Sequence, residues 1–556
     1  MKMRARLVPF VVVCVAACGV SIPGDASDRG GTIVIATASD ADALFPPAAL
    51  TVEARQATEL IYEYLADAGP SMNTAGDDGF VKELASGWVW SPDSSRISFT
   101  INPRAKWQDG QPVTSRDVAF SYDVYKDPAV ASGMEEDLAD IDSVSTPDAS
   151  TAVFWFARRT SHQFFNAASL MLILPEHLLG RIDRDSLRAV ATRGKPVGSG
   201  RYRLGSWVKG AHFELDAIKD HYRGEAGPQR LIWSVTPEYR TAVTRLLGGE
   251  ADVFANVRHE TINDLAKKNF NVVSLPGMDY VFMQLNLRDQ SGTRPHRLFA
   301  SRDMRRAVTM ALDRSSMVKN LFDTLASVSI GPTVRAFPST DPAITQLPYD
   351  RAGAERILDS LGWKRLAPGR TRTRDGTPLR FSLLVPVSSM SRMRMAVMIQ
   401  EQLKRVGVDV RVEQMDFSAF TTRQAARSFD AVLASWHVGS SPSGVRETWT
   451  TDAAKKGGLN YGSYSNPAFD KLVDSALSAS SLPVERSYFR RAYQMIVDDA
   501  PAVWLYEPRS VMAIHKRIHI TPMRPSAWWL DVGSWRIPAS EQLERDKAPI
   551  PPDSLI

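Results

Sequence analysis

The sequence predicts an exported, multidomain α/β protein, and three observations carry that prediction. At 556 residues the chain exceeds what one hydrophobic core supports, since domains run to about 100–200 residues each. Apolar positions switch between helical spacing and strict alternation, with glycines at the switches, which is how helices feed strands. The one long apolar run lies within the first eighteen residues, which excludes a polytopic membrane protein.

The elements follow in chain order. Residues 32–36 are a short β-branched apolar run, and residues 96–102 alternate Ile97, Phe99 and Ile101 with polar neighbours, so both are expected strands. Asp109-Gly110 offers a tight turn, and Thr114-Ser115-Arg116-Asp117 has capping-box spacing ahead of Val118, Ala119 and Phe120, where a helix should start. These duties weigh against reading Asp109 and Asp117 as a general acid and base. Ser301 should cap a helix carrying Met304, Ala307, Val308, Ala311 and Leu312 on one face. Asp350 should cap another that buries Ala354, Ile357, Leu358 and Leu361 and stops at Gly362. Met395, Met398, Ile399, Leu403 and Val406 form a third helical face, ended by Gly407, after which Val408, Val410 and Val412 alternate with charged residues as a strand. No repeat of fixed period appears, so solenoids and propellers are not expected.

The N-terminus reads as a bacterial lipoprotein signal over residues 1–18. Lys2, Arg4 and Arg6 precede an apolar stretch of 11 residues, 7–17, too short to span a bilayer. It ends in Val15-Ala16-Ala17-Cys18-Gly19, which resembles a lipobox, with Cys18 the expected lipid acceptor. Both cysteines, Cys14 and Cys18, lie here, so no disulfide or cysteine-based metal site is expected in the mature chain. Residues 19–31 are small and polar, a flexible tether to an extracytoplasmic domain.

Composition narrows the function. Hydrophobic residues make up 44% and charged residues 23%, ordinary globular values that exclude collagen-like and disordered chains. The net charge of +5 falls once the three basic residues of the signal are removed, leaving 64 basic against 62 acidic residues. Nothing in that balance fits a nucleic-acid partner. The nucleophile-elbow, zinc-protease, Walker and dinucleotide-binding motifs are absent from the sequence. The pair His515 and His519 brackets Lys516-Arg517, whose charge opposes a cation, so neither metal nor cofactor is expected. Aromatic residues are plentiful, with 13 Trp, 14 Tyr and 22 Phe. Trp436, Trp449, Tyr461, Tyr464, Trp504 and Tyr506 lie where segments converge and suit the walls of an organic-ligand pocket.

Residues 81–128, from Val81-Lys82-Glu83 through Trp107-Gln108-Asp109-Gly110 to Lys126-Asp127-Pro128, resemble the extracellular solute-binding proteins of peptide- and nickel-type ABC transporters. The resemblance continues in order through Gly198-Ser199-Gly200-Arg201-Tyr202, Gly249-Glu250-Ala251-Asp252-Val253, Gln284-Leu285-Asn286, Arg305-Arg306-Ala307, Ala311-Leu312-Asp313 and Phe429-Asp430 before Trp436. It closes with Tyr464-Ser465-Asn466-Pro467-Ala468-Phe469-Asp470 and Ala500-Pro501-Ala502-Val503-Trp504-Leu505-Tyr506, so it spans about residues 30–520.

The resemblance implies a two-lobed periplasmic-binding-protein-like fold with an inserted third domain and hinge bending. Lobe I would combine 32–55, 195–275 and 506–556, the extra domain 56–194, and lobe II 276–505. It implies a monomeric, non-catalytic protein, lipid-anchored outside the cytoplasmic membrane, that captures an oligopeptide or related organic solute and passes it to ABC permease subunits. A sensing module for a membrane receptor and a secreted hydrolase are the alternatives. The expected ligand-binding set is Tyr280, Trp436, His437, Ser440, Trp449, Tyr461, Tyr464 and Tyr506. One departure stands out. Peptide-binding members carry an acidic residue shortly after the strand of Trp436, whereas no acid occurs here between Asp430 and Glu447. A ligand ammonium is costly to bury without a countercharge. The segment is therefore expected not to anchor a free amino terminus.

Overall fold

The structure, a computed structural model, describes residues 30–547 except 136, 290, 368, 440, 456 and 480. The expected signal, most of the tether, Cys18 and Ser440 thus lie outside the described residues.

Three larger sheets organise the chain. A seven-stranded sheet runs in the order Phe270–Leu275, Ser510–His515, Val253–Phe254, Thr32–Thr37, Arg230–Val235, His212–Ala217, Tyr202–Val208. A four-stranded antiparallel sheet is built from Ala85–Trp90, Arg96–Ile101, Thr151–Phe156 and Ile141–Asp148. The third, six-stranded, runs Ala326–Val328, Ala502–Pro508, Asp279–Leu285, Ala431–His437, Arg380–Pro386, Asp409–Met415. Its last three strands pair in parallel, with the helix Met390–Arg405 as crossover.

The local signals act through identifiable bonds. Thr114 and Asp117 form the reciprocal capping box of the helix Ser115–Lys126. Ser301 and Asp350 each accept a backbone N–H at the start of Arg302–Met310 and Arg351–Ser360. Asp252 is buried and accepts from Val34 N, tying the first strand to its neighbour. Asn286, also buried, donates to the carbonyls of Arg427 and Phe429. Asn466 caps the helix Pro467–Leu477. Asp117, Asp252 and Asn286 are polar yet buried for this reason: each satisfies backbone groups that the fold would otherwise orphan.

One continuous hydrophobic core joins the seven-stranded sheet to the four-stranded one, from Ile33 and Trp233 to Phe99 and Phe154. The six-stranded sheet has separate cores on its two faces. The chain crosses between these halves at residues 276–278 and again at Arg509, three residues later than the expected boundary at Tyr506, because the strand Ala502–Pro508 stays with the six-stranded sheet. The two crossings touch: a Cβ on Gly277 would lie 1.8 Å from the carbonyl oxygen of Pro508. Arg509 reinforces the junction, donating to Ser274 Oγ at 2.7 Å and to its carbonyl at 2.8 Å.

Candidate functional site

The strand Ala431–His437 is buried over its first four residues and emerges at its end, half-burying Trp436 and exposing His437. Tyr280 pairs with Trp436 on the neighbouring strand and shares its face. Together they form one wall of a cavity of ≈ 470 Å³ between the two halves. Pro332, Phe337, Glu447 and Tyr493 complete that wall. The opposite wall belongs to the half with the shared core: Arg55, Glu59, Tyr64, Met134, Asp137 and Phe165. A recess of ≈ 70 Å³ continues past Glu59 and Phe337 to Asp67, Met278 and Arg524.

Thr51 caps the helix Val52–Ile61, its hydroxyl accepting from Ala54 N. That start sets Arg55 and Glu59, one turn apart, on the face toward the cavity. The Glu59 carboxylate accepts from Tyr64 Oη at 2.9 Å and from Trp529 Nε1 at 2.6 Å. Protein surrounds it, yet it keeps accessible surface, as a group lining a cavity does. Burial pushes its carboxyl above the ordinary range, against the pull of the two donors and of the Arg524 and Arg55 charges. Arg524 is committed elsewhere, gripping both oxygens of Asp67 at 2.9 and 2.7 Å.

The expected site residues divide. Tyr280, Trp436 and His437 line the cavity. Tyr461 stands behind Trp436, its ring stacked at 6.0 Å. Trp449 is fully buried and supports Tyr280, donating from Nε1 to its hydroxyl at 2.9 Å. Tyr464 is buried too, its hydroxyl bonded to Asp499. Tyr506 lies on the other face of the sheet from Trp504: two residues apart they should share a face, but a register shift opposite Val281 and Phe282 turns Tyr506 into the second core. Trp449, Tyr464 and Tyr506 are therefore framework behind the cavity rather than its surface.

The acid-free segment does not make the cavity acid-free. Glu59, Asp137 and Glu447 reach it from three separate elements, against one guanidinium, Arg55. His437 lies 3.3 Å from Asp279 through Nδ1. Nothing in the local sequence marks Glu59, Phe165 or Phe337 as cavity residues, because each is brought in by a chain segment more than ninety residues from Trp436. Among the described residues no group of three or more metal-binding side chains occurs, and no helix is long and apolar enough to cross a membrane.

The family model of the bacterial extracellular solute-binding proteins, family 5, matches residues 79–457. The chain is 26% identical over 520 residues to the oligopeptide-binding protein AppA of Bacillus subtilis, covering 90% of this chain and 92% of that protein. Its fold matches the structure of AppA from Bacillus subtilis in complex with a nonapeptide, with a TM-score of 0.73 at 24% identity, over 92% of this chain and 99% of that one. It also matches NikZ from Campylobacter jejuni in complex with Ni(L-His), with a TM-score of 0.75 at 21% identity, over 91% and 99%. These matches bear out the α/β, multidomain binding-protein fold expected from the sequence.

Proposed function

Since the chain belongs to the bacterial extracellular solute-binding proteins of family 5, we propose that it is the capture component of an ABC transporter, taking up a peptide or related organic solute between its lobes and delivering it to permease subunits. The observation that carries this reading is the cavity itself. Its aromatic and polar residues come from both halves of the molecule, so a ligand touches all of them only when the halves are closed. The paired crossings at Gly277 and Arg509 are where such closure would bend. Aromatic walls with a few charged groups suit an amphipathic organic ligand, and the name of AppA favours a peptide. The binding-protein family supports a role without turnover. The lipobox-like end of residues 1–18 supports anchoring through Cys18 on the outer side of the cytoplasmic membrane.

The test is native mass spectrometry of freshly purified protein. A bound organic molecule, released unchanged on unfolding and displaced by added peptide, is the expected result. Release of a cleaved product with repeated turnover would instead make the protein a hydrolase.

A further inference from the structure

Glu59 has no ion-pair partner in the cleft, although the Arg524 and Arg55 charges act on it at longer range. Its two partners, Tyr64 and Trp529, are neutral donors, and among the described residues no Lys, Arg or His nitrogen lies within 4.0 Å of its carboxylate. The nearby guanidinium of Arg524 is held by Asp67 and the Gly69 carbonyl. Arg55, on the same helix, is exposed. Burying a carboxylate without a cation is unfavourable, and two convergent donors hold this one in place at the junction of cavity and recess. The fold thus holds a fixed carboxyl at the junction of cavity and recess, in the same cavity as the aromatic wall of Trp436 and Tyr280.

We propose that Glu59 is the seat of a cationic group of the captured solute, a primary ammonium or a guanidinium. This rests on the peptide-type reading above and adds the feature that selects among peptides. Such a group would make a charge-assisted bond to the carboxylate, while the aromatic face opposite offers a second favourable environment for a cation. The recognition element lies in the first helix of the chain, not in the acid-free segment that follows Trp436. The cation could come from a peptide's amino terminus or from a Lys or Arg side chain, and the experiment separates the two.

The protein is offered two pools of random peptides of three to nine residues, one with free and one with acetylated amino termini, and the bound fraction is read by mass spectrometry. Wild type should capture free-terminus peptides at least tenfold better, if the amino terminus is the source. If side chains are the source, it should enrich Lys and Arg at least tenfold in the acetylated pool. Glu59→Gln should abolish that preference while still capturing neutral peptides, and Glu59→Asp, which keeps the charge, should retain part of it; thermal unfolding of both variants checks that they fold. A preference undiminished in Glu59→Gln, or wild type that captures both pools without regard to charge, would overturn the assignment and leave the peptide reading standing. Capture of nothing from either pool would overturn the peptide reading and the assignment with it.

Discussion

The indole N–H of Trp529 donates to the Glu59 carboxylate at 2.6 Å across 470 residues of chain. The C-terminal segment thereby fixes a side chain of the first helix at the edge of the ligand cavity. Trp529→Phe keeps an aromatic ring, though a smaller one, and removes the donor. Because a hydrogen bond to a charged group contributes about 1.5–3 kcal/mol, denaturant unfolding should show a loss of that order. An unchanged midpoint would mean the bond holds nothing in place.

Trp436 is half-buried between Tyr461 and the cavity. Trp436→Ala should weaken ligand binding by about 1–3 kcal/mol, the range for losing one large apolar contact. Calorimetry with the co-purified ligand measures it, and equal affinity would make the ring structural.

Arg517 joins two buried carboxylates, Asp252 at 2.9 Å and Asp546 at 2.7 Å, and also donates to the Thr32 carbonyl. Arg517→Met leaves Asp546 without its cation and Asp252 with Arg545 alone, 2.7 Å away. The expected cost is about 3–5 kcal/mol of stability, enough to lower the melting temperature by several degrees. A variant as stable as wild type would show that the cluster is solvated or protonated.

Arg223 lies between two carboxylates, 2.9 Å from the buried Glu63 and 2.7 Å from the largely covered Glu83. Burial chiefly, with the Glu63 and Asp67 charges, pushes Glu83 up to about 7 from 4.5, against the pull of Arg223. The folded state therefore holds a proton that the unfolded chain releases above 4.5. This contribution to stability is full below 4.5 and is lost as pH rises through about 7. Unfolding free energies measured from pH 4.5 to 8 should decline less steeply in Glu83→Gln than in wild type. Parallel curves would assign the titration to another group.

Cys18→Ala removes the expected acyl acceptor and with it the roughly 0.8 kcal/mol per buried CH₂ that holds a lipid chain in a bilayer. The protein should move to the soluble fraction. Wild-type membrane levels in the variant would rule out lipid anchoring at this residue.

Element positions were legible because their signals are local: a capping box at Thr114, an N-cap at Asp350, a glycine at 407 after an apolar helical face. Each is decided by residues within one or two turns. The family, too, could be read from ordered short motifs, and Asp252 and Asn286 show the structural duty of two of them: their side chains bind backbone that this fold buries.

The site was legible only in part. That the strand at Ala431–His437 is buried and surfaces at Trp436 follows from its own sequence. Whether an aromatic residue faces the cavity or the core does not, since it depends on which strands pair and where their register shifts. Tyr506 was displaced to the opposite face by such a shift beside Val281. Charge in the cavity was hidden for the same reason: the segment directly after Trp436 has no acid, yet Glu59 and Asp137 reach the cavity from remote parts of the chain and join Glu447 there. Local residues determined the elements and the family. Long-range packing alone decided which side chains share the cleft, because contacts between residues hundreds of positions apart form only when the lobes are built.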